Sequence, residues 1–172
     1  MDHISMVFQN VYLFHDTIYN NIAMGRPDAS REEVIEAAKQ ARCYDFIMAL
    51  PDGFDTMVGE GGANLSGGER QRISIARCIL KDAPIVILDE ATANVDADNE
   101  SYIQEAISSL CRGKTLLVIA HRLNTIFHAD RILVVERGAI VQAGRHEELA
   151  AQEGVYRRFV AARSGGMGWN RR

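Results

Sequence analysis

Apolar and polar positions fall in alternating blocks along this chain. HISMVF, at His3 to Phe8, predicts a strand that ends at Gln9. A polar, Asn-rich stretch follows, with Tyr12, Leu13 and Phe14 inside it. Ser30 then opens a helix. Ser30 and Glu33 have capping-box spacing, and Val34, Ile35, Ala38 and Ala41 give a helical apolar stripe. Pro51-Asp52-Gly53 marks a turn, and Gly59 to Ala63 reads as a flexible, Gly-rich loop. A second helix runs from about Ser66 to Leu80 and stops before Pro84. Ile85 to Leu88 (IVIL) is a continuous apolar run, the pattern of a strand buried on both faces. Asp98 to Leu110 predicts a helix, and Thr115 to Ala120 (TLLVIA) another buried strand. Arg131 to Glu136 and Ala139 to Ala143 flank Arg137-Gly138 and predict a hairpin; Glu147 to Ala162 predicts one helix. Strands alternating with helices mean an α/β fold with a mostly parallel sheet. With no internal repeat and no long linker, residues 1–163 read as one domain and 164–172, rich in glycine, as a disordered tail.

Composition narrows the function. The 172 residues are enough for one domain with a real core. The net charge of -4 argues against a nucleic-acid partner, which would call for a basic face. Arg70, Arg72 and Arg77 alternate with apolar positions and read as a solvated helix face. Cys43, Cys78 and Cys111 form no CxxC pair and no metal-ligand spacing, so they read as free thiols in a reducing compartment. The start, Met1-Asp2-His3, lacks the pattern of a signal peptide. No apolar run approaches the ~20 residues needed to span a bilayer.

Candidate chemistry gathers at strand ends. In an open parallel sheet, ligands bind beyond the carboxyl ends of the strands. Gln9 follows HISMVF, Asp89 and Glu90 follow IVIL, and His121 follows TLLVIA. A polar residue at a strand end is usually just where the chain meets water. Two adjacent carboxylates after an apolar strand are costly unless one holds a cation and the other a water or proton. Mg²⁺ prefers carboxylate and phosphate oxygens. Asp89 near a metal and Glu90 near an attacking water would suit phosphoryl chemistry.

Leu65-Ser66-Gly67-Gly68-Glu69 is the second signal. A capping box explains Ser66 and Glu69. It does not explain Gly67 and Gly68, each of which costs about 0.5–1 kcal/mol relative to alanine inside a helix. Two glycines at a helix start fit close approach of a ligand to the backbone, and the amides and dipole there favour an anion such as phosphate.

These residues resemble the ATP-binding-cassette (ABC) ATPase family. LSGGERQR at Leu65 to Arg72 is similar to the ABC signature, and IVILDEAT at Ile85 to Thr92 to the Walker B strand with its catalytic glutamate. Asp96 falls where the D-loop lies, His121 resembles the switch histidine, and Gln9 the Q-loop glutamine. The D-loop, Ala93-Asn94-Val95-Asp96, departs from the common SALD form but keeps the aspartate. The resemblance runs to about Ala162, and FQNVYLFHDTIYNNI and TMVGE look like exporter sequences.

The resemblance implies a P-loop NTPase-like core with a helical signature subdomain, binding ATP and Mg²⁺. It implies that two ATPase domains, alike or different, pair head to tail. Ser66, Gly67 and Gly68 would then meet ATP held by the partner. Asp89 would help hold Mg²⁺, Glu90 would act as general base, His121 would contact the γ-phosphate, Gln9 would sense metal and phosphate, and Asp96 would serve cross-dimer communication. Tyr12 to Phe14 would face a transmembrane domain, placing the chain at the cytoplasmic face of a membrane.

The Walker A pattern GxxxxGK[ST] is not among these residues, so the N-terminal part of the family's core is expected to be missing and the chain alone to be inactive. Gly113-Lys114-Thr115 (GKT) is a decoy. Ser108 stands where the motif's first glycine belongs, and the segment runs from helix to strand; it reads as a turn with Lys114 solvated. In the family, the Walker A strand lies between the strands expected at 115–120 and 131–136. A reading from another class is a non-catalytic truncated module that pairs with a complete ABC ATPase domain.

Overall fold

A computed structural model of the chain describes residues 3–62, 64–89, 97–120 and 126–164. They divide into two compact units, Met1–Ile119 and Ala120–Arg172. The expected tail at 164–172 lies outside the described residues, apart from Ser164, which ends a helix.

The first unit holds a three-stranded parallel sheet in the order β1 (Ile4–Val7), β2 (Ile85–Asp89), β3 (Thr115–Ile119). Val7 pairs with Leu88, and Asp89 with Ile119, so all three strands end at the same edge. Among the described residues this unit has five α-helices: α1 (Ile18–Ala23), α2 (Arg31–Gln40), α3 (Tyr44–Ala49), α4 (Gly67–Lys81) and α5 (Ala97–Cys111). The core centres on α4, whose Ile73, Ile75 and Ala76 are fully buried with Ile18, Ile22, Val34, Ile47, Val86 and Ile103. Burial of each large side chain contributes roughly 1.5–3 kcal/mol.

The capping boxes at Ser30/Glu33 and Ser66/Glu69 are both closed, each serine hydroxyl accepting from the N3 amide and each glutamate accepting from the serine amide. Two helices were not foreseen. α1 is capped by Thr17, whose side chain accepts from Asn20 N, inside the stretch that reads only as polar and Asn-rich. α3 follows a left-handed Arg42 (φ 55°). The expected loop at 59–63 contains a short 3-10 turn, Glu60–Gly62, pinned by Asn64, which donates to Met57 O and accepts from Gly59 N.

β3 corrects the expectation of a buried strand. Leu116, Leu117 and Ile119 are 43–48% exposed. Among the described residues β3 pairs with β2 alone, so it is the edge of its sheet. Its apolar pattern suits a central strand, but only Val118 packs against the core, and Leu116, Leu117 and Ile119 are left exposed. β2 is buried at Val86 and Leu88 and only half-buried at Ile85, Ile87 and Asp89.

The solvated face expected for Arg70, Arg72 and Arg77 is also overturned. Arg72 is 5% exposed, its guanidinium over the rings of Phe46 and Tyr102. Arg70 Nη1 donates to Leu65 O at 2.6 Å, and Arg77 donates to Asn21. Helix α4 is enclosed on several sides, so Arg72 and Arg77 are drawn into contacts with elements distant in sequence, while Arg70 bonds back to the loop just before the helix. Lys114 likewise is not solvated: its side chain is 12% exposed and pairs with Asp82 at 2.9 Å.

The second unit is the hairpin β4 (Ile132–Glu136) and β5 (Ala139–Gly144) with α6 (His146–Ala151) and α7 (Val155–Ser164). Arg137 (φ 51°) and Gly138 (φ 79°) both take positive φ, as a tight two-residue hairpin turn requires. Ile132, Leu149 and Tyr156 form its core. The single helix expected over 147–162 is two, because Gln152 is extended (φ -88°, ψ 144°). Gln142 of β5 fixes the break: its Oε1 accepts from Tyr156 N at 3.0 Å, and a Cβ at Gly154 would come within 2.4 Å of its Nε2.

Candidate functional site

The parallel register turns three strand ends into one edge. Gln9 is exposed two residues past β1, and Asp89 is the half-buried last residue of β2. β3 is level with Asp89 at Ile119. Glu90, Asp96 and His121 lie outside the described residues. The side chains of Gln9 and Asp89 therefore represent the expected strand-end group here.

The helix start is better defined. Ser66 N donates to Glu69 Oε2 at 2.7 Å, and Glu69 N donates to Ser66 Oγ at 3.2 Å. With Ser66 in extended geometry (φ -65°, ψ 161°), the helix begins at Gly67. Gly67 is exposed, and a Cβ there would meet only Arg70 Nη2, at 4.0 Å. No packing contact among the described residues demands glycine at that position. The preceding loop is held from inside: Arg70 Nη1 spans Leu65 O and Gly62 O, and a Cβ on Gly62 (φ 81°) would lie 2.4 Å from Arg70 Cδ.

Helix α4 sets the distance between the two groups. Lys81 Nζ donates to Ile4 O at 2.7 Å, and Cys78 Sγ to Met6 O at 3.5 Å. The helix thus runs antiparallel to β1, with its N-terminus on the side of the strand ends. From Cys78 back to Ser66 is about 18 Å of helix, while Met6 to Gln9 spans about 10 Å of strand.

Two features of the region escaped the sequence. Asn21 is fully buried and saturated with hydrogen bonds, inside a stretch that reads only as polar and Asn-rich. Arg72 joins α3 to α5 through its ring contacts. Burial raises the Cys43 thiol to about 12 and raises Cys78, so both are inert neutral thiols at ordinary pH. The GKT segment is a turn between α5 and β3, with Gly113 at φ 72°, as expected of a decoy.

The family model for ABC transporters matches residues 1–93, more than half of the chain. The chain belongs to the ABC transporter family. Its fold is accordingly the α/β, P-loop NTPase type, and the match takes in Gln9, Ser66 to Gly68, Asp89 and Glu90. The ATP-dependent lipid A-core flippase of Legionella pneumophila (strain Paris) is 60% identical over 153 residues, covering 89% of this chain and 26% of the flippase. The flippase of the same name from Chromohalobacter salexigens is 56% identical over 153 residues, again 89% of this chain and 26% of that protein. A solved structure of a bacterial Atm1-family ABC exporter with ATP bound is 44% identical with a TM-score of 0.83, covering 95% of this ABC transporter chain and 28% of that one. The chain spans about a quarter of the length of the curated relatives it matches. Among the described residues no helix is long and apolar enough to cross a membrane.

Proposed function

We propose that these residues are the signature-bearing portion of an exporter's ATPase domain, which powers transport across a membrane by ATP-driven pairing of two such domains. The observation that carries this reading is the capped start of α4, where Gly68 is buried but Gly67 is exposed and, among the described residues, no contact calls for glycine at position 67. Backbone amides and the helix dipole there favour a phosphate. In this reading the signature acts in trans: Ser66, Gly67 and Gly68 engage ATP held by a partner domain, alike or different.

In that assembly Asp89 helps hold Mg²⁺ and Gln9 senses metal and phosphate. Glu90 takes the proton of the attacking water, and His121 contacts the γ-phosphate as charge builds there. Asp96 serves the contact between the two domains. The exposed Tyr12 and Phe14, 56% and 47% exposed, face a transmembrane domain at the cytoplasmic side of the membrane. The substrate is chosen by that membrane domain.

The 172 residues carry no GxxxxGK[ST], so alone they bind ATP weakly and hydrolyse it negligibly. Turnover of purified chain, with and without Glu90→Gln, tests this. Background-level release of phosphate from both is expected; clear turnover that Glu90→Gln abolishes would overturn it.

A further inference from the structure

Asn21 sits fully buried on α1 and uses every hydrogen-bonding position of its amide. Its Oδ1 accepts from Phe14 N at 2.9 Å and from Arg77 Nη2 at 3.1 Å. Its Nδ2 donates to Phe14 O at 3.0 Å and Thr17 O at 3.1 Å. Arg77 Nε adds a bond of 2.8 Å to the Asn21 carbonyl, and its guanidinium lies 6.0 Å from the centre of the Phe14 ring. At Gly25, just past α1, a Cβ would stand 2.1 Å from the Arg77 carbonyl, so the turn there sits directly on α4. Both ends of Phe14's backbone, the α1 helix and the middle of α4 are thus fixed to one another.

This network joins two places of different character. One is the exposed ring pair Tyr12–Phe14, edge to face at 5.3 Å. The other is the helix whose start, three turns before Arg77, is Ser66. An apolar side chain would pack α1 as well without desolvating a guanidinium. A planar guanidinium bonded to both the carbonyl and the amide of one residue fixes orientation as well as distance.

We propose that Asn21 and Arg77 are positioning residues that lock the exposed Tyr12–Phe14 segment to α4, so that force applied by a partner at those rings is delivered to Ser66–Gly68. The inference rests on the exporter-ATPase reading above. It adds the link by which the partner-facing segment moves the phosphate-facing one.

The test uses the full-length polypeptide carrying these residues, reconstituted in phosphatidylethanolamine–phosphatidylglycerol vesicles, with ATP turnover counted per folded molecule. For Arg77→Met, kcat is expected to fall about tenfold while KM for ATP stays within about twofold. Arg77→Lys, which keeps the charge and one donor direction, is expected to recover more than half of kcat. Asn21→Asp, which keeps the acceptor for Phe14 N but loses both donors, is expected to lower kcat without changing KM. Lower folded yield with unchanged kcat and KM in the surviving protein would overturn the inference, and so would failure of both Arg77→Met and Asn21→Asp to fold, since the pair would then be structural support alone. Wild-type turnover that Ser66→Asp leaves untouched would instead overturn the exporter-ATPase reading, and this inference with it.

Discussion

Ser66 and Glu69 cap one another at the start of α4, the serine amide 2.7 Å from the glutamate carboxylate and the glutamate amide 3.2 Å from the serine hydroxyl. This pair gives Ser66 a structural role that is separable from a phosphate-facing one. Ser66→Ala removes the acceptor for Glu69 N and is expected to cost about 1 kcal/mol in denaturant unfolding. Ser66→Asp is an equally good cap and should stay within about 0.5 kcal/mol of the parent. A larger loss in Ser66→Asp would show that the site does more for the fold than cap the helix.

The exposed edge of β3 leads to a second expectation. Leu116, Leu117 and Ile119 are each more than two-fifths exposed on a strand with one partner in its sheet. Such an edge pairs with whatever is available. The isolated chain is therefore expected to self-associate at tens of micromolar in sedimentation velocity, and Leu117→Lys to shift it towards monomer. A monomeric parent that melts in one cooperative transition would contradict this.

Cys43 couples stability to alkaline pH. Burial is the main cause that lifts its thiol from an ordinary value of 9.0 to about 12. The folded state thus keeps a proton that the unfolded chain releases above 9.0, and the raised value makes the sign clear. The contribution is fully present below pH 9.0 and is lost between there and about 12. Relative to Cys43→Ala, the parent should lose melting temperature more steeply above pH 9. Parallel curves for the two proteins would refute the assignment.

Lys114 serves the turn before β3. Its ion pair with Asp82 joins a buried ammonium stem to a carboxylate that is 75% exposed, so solvent screens most of it. Lys114→Ala is expected to lower stability by less than about 1 kcal/mol and to leave nucleotide binding unchanged in any assembly that binds ATP. A loss of ATP affinity on this substitution would revive the GKT segment as a phosphate site.

What the sequence disclosed was local. Ser30/Glu33 and Ser66/Glu69 lie three residues apart, so their capping boxes are visible in the order of residues alone. The strand ends at Gln9 and Asp89 could be aligned because apolar runs mark them and a parallel sheet puts like ends together. Distant partners made the rest illegible. Asn21 reads as one of several polar residues in its stretch until Arg77, 56 positions away, is placed beside it. The break between α6 and α7 depends on Gln142, 14 residues before Tyr156. The apolar letters of β3 read the same for a central strand as for an uncovered edge. At the candidate site, Ser66 to Gly68, Gln9 and Asp89 fall among the described residues, whereas Glu90, Asp96 and His121 fall outside them.

The central claim is that the start of α4 meets ATP held by another domain. The most direct measurement is association of this chain with a complete, hydrolysis-deficient ABC ATPase domain, followed by light scattering with and without Mg-ATP. A complex that forms only with Mg-ATP and is lost in the stably folded Ser66→Asp variant is the predicted result. Association that ignores ATP, or that survives Ser66→Asp unchanged, would contradict it.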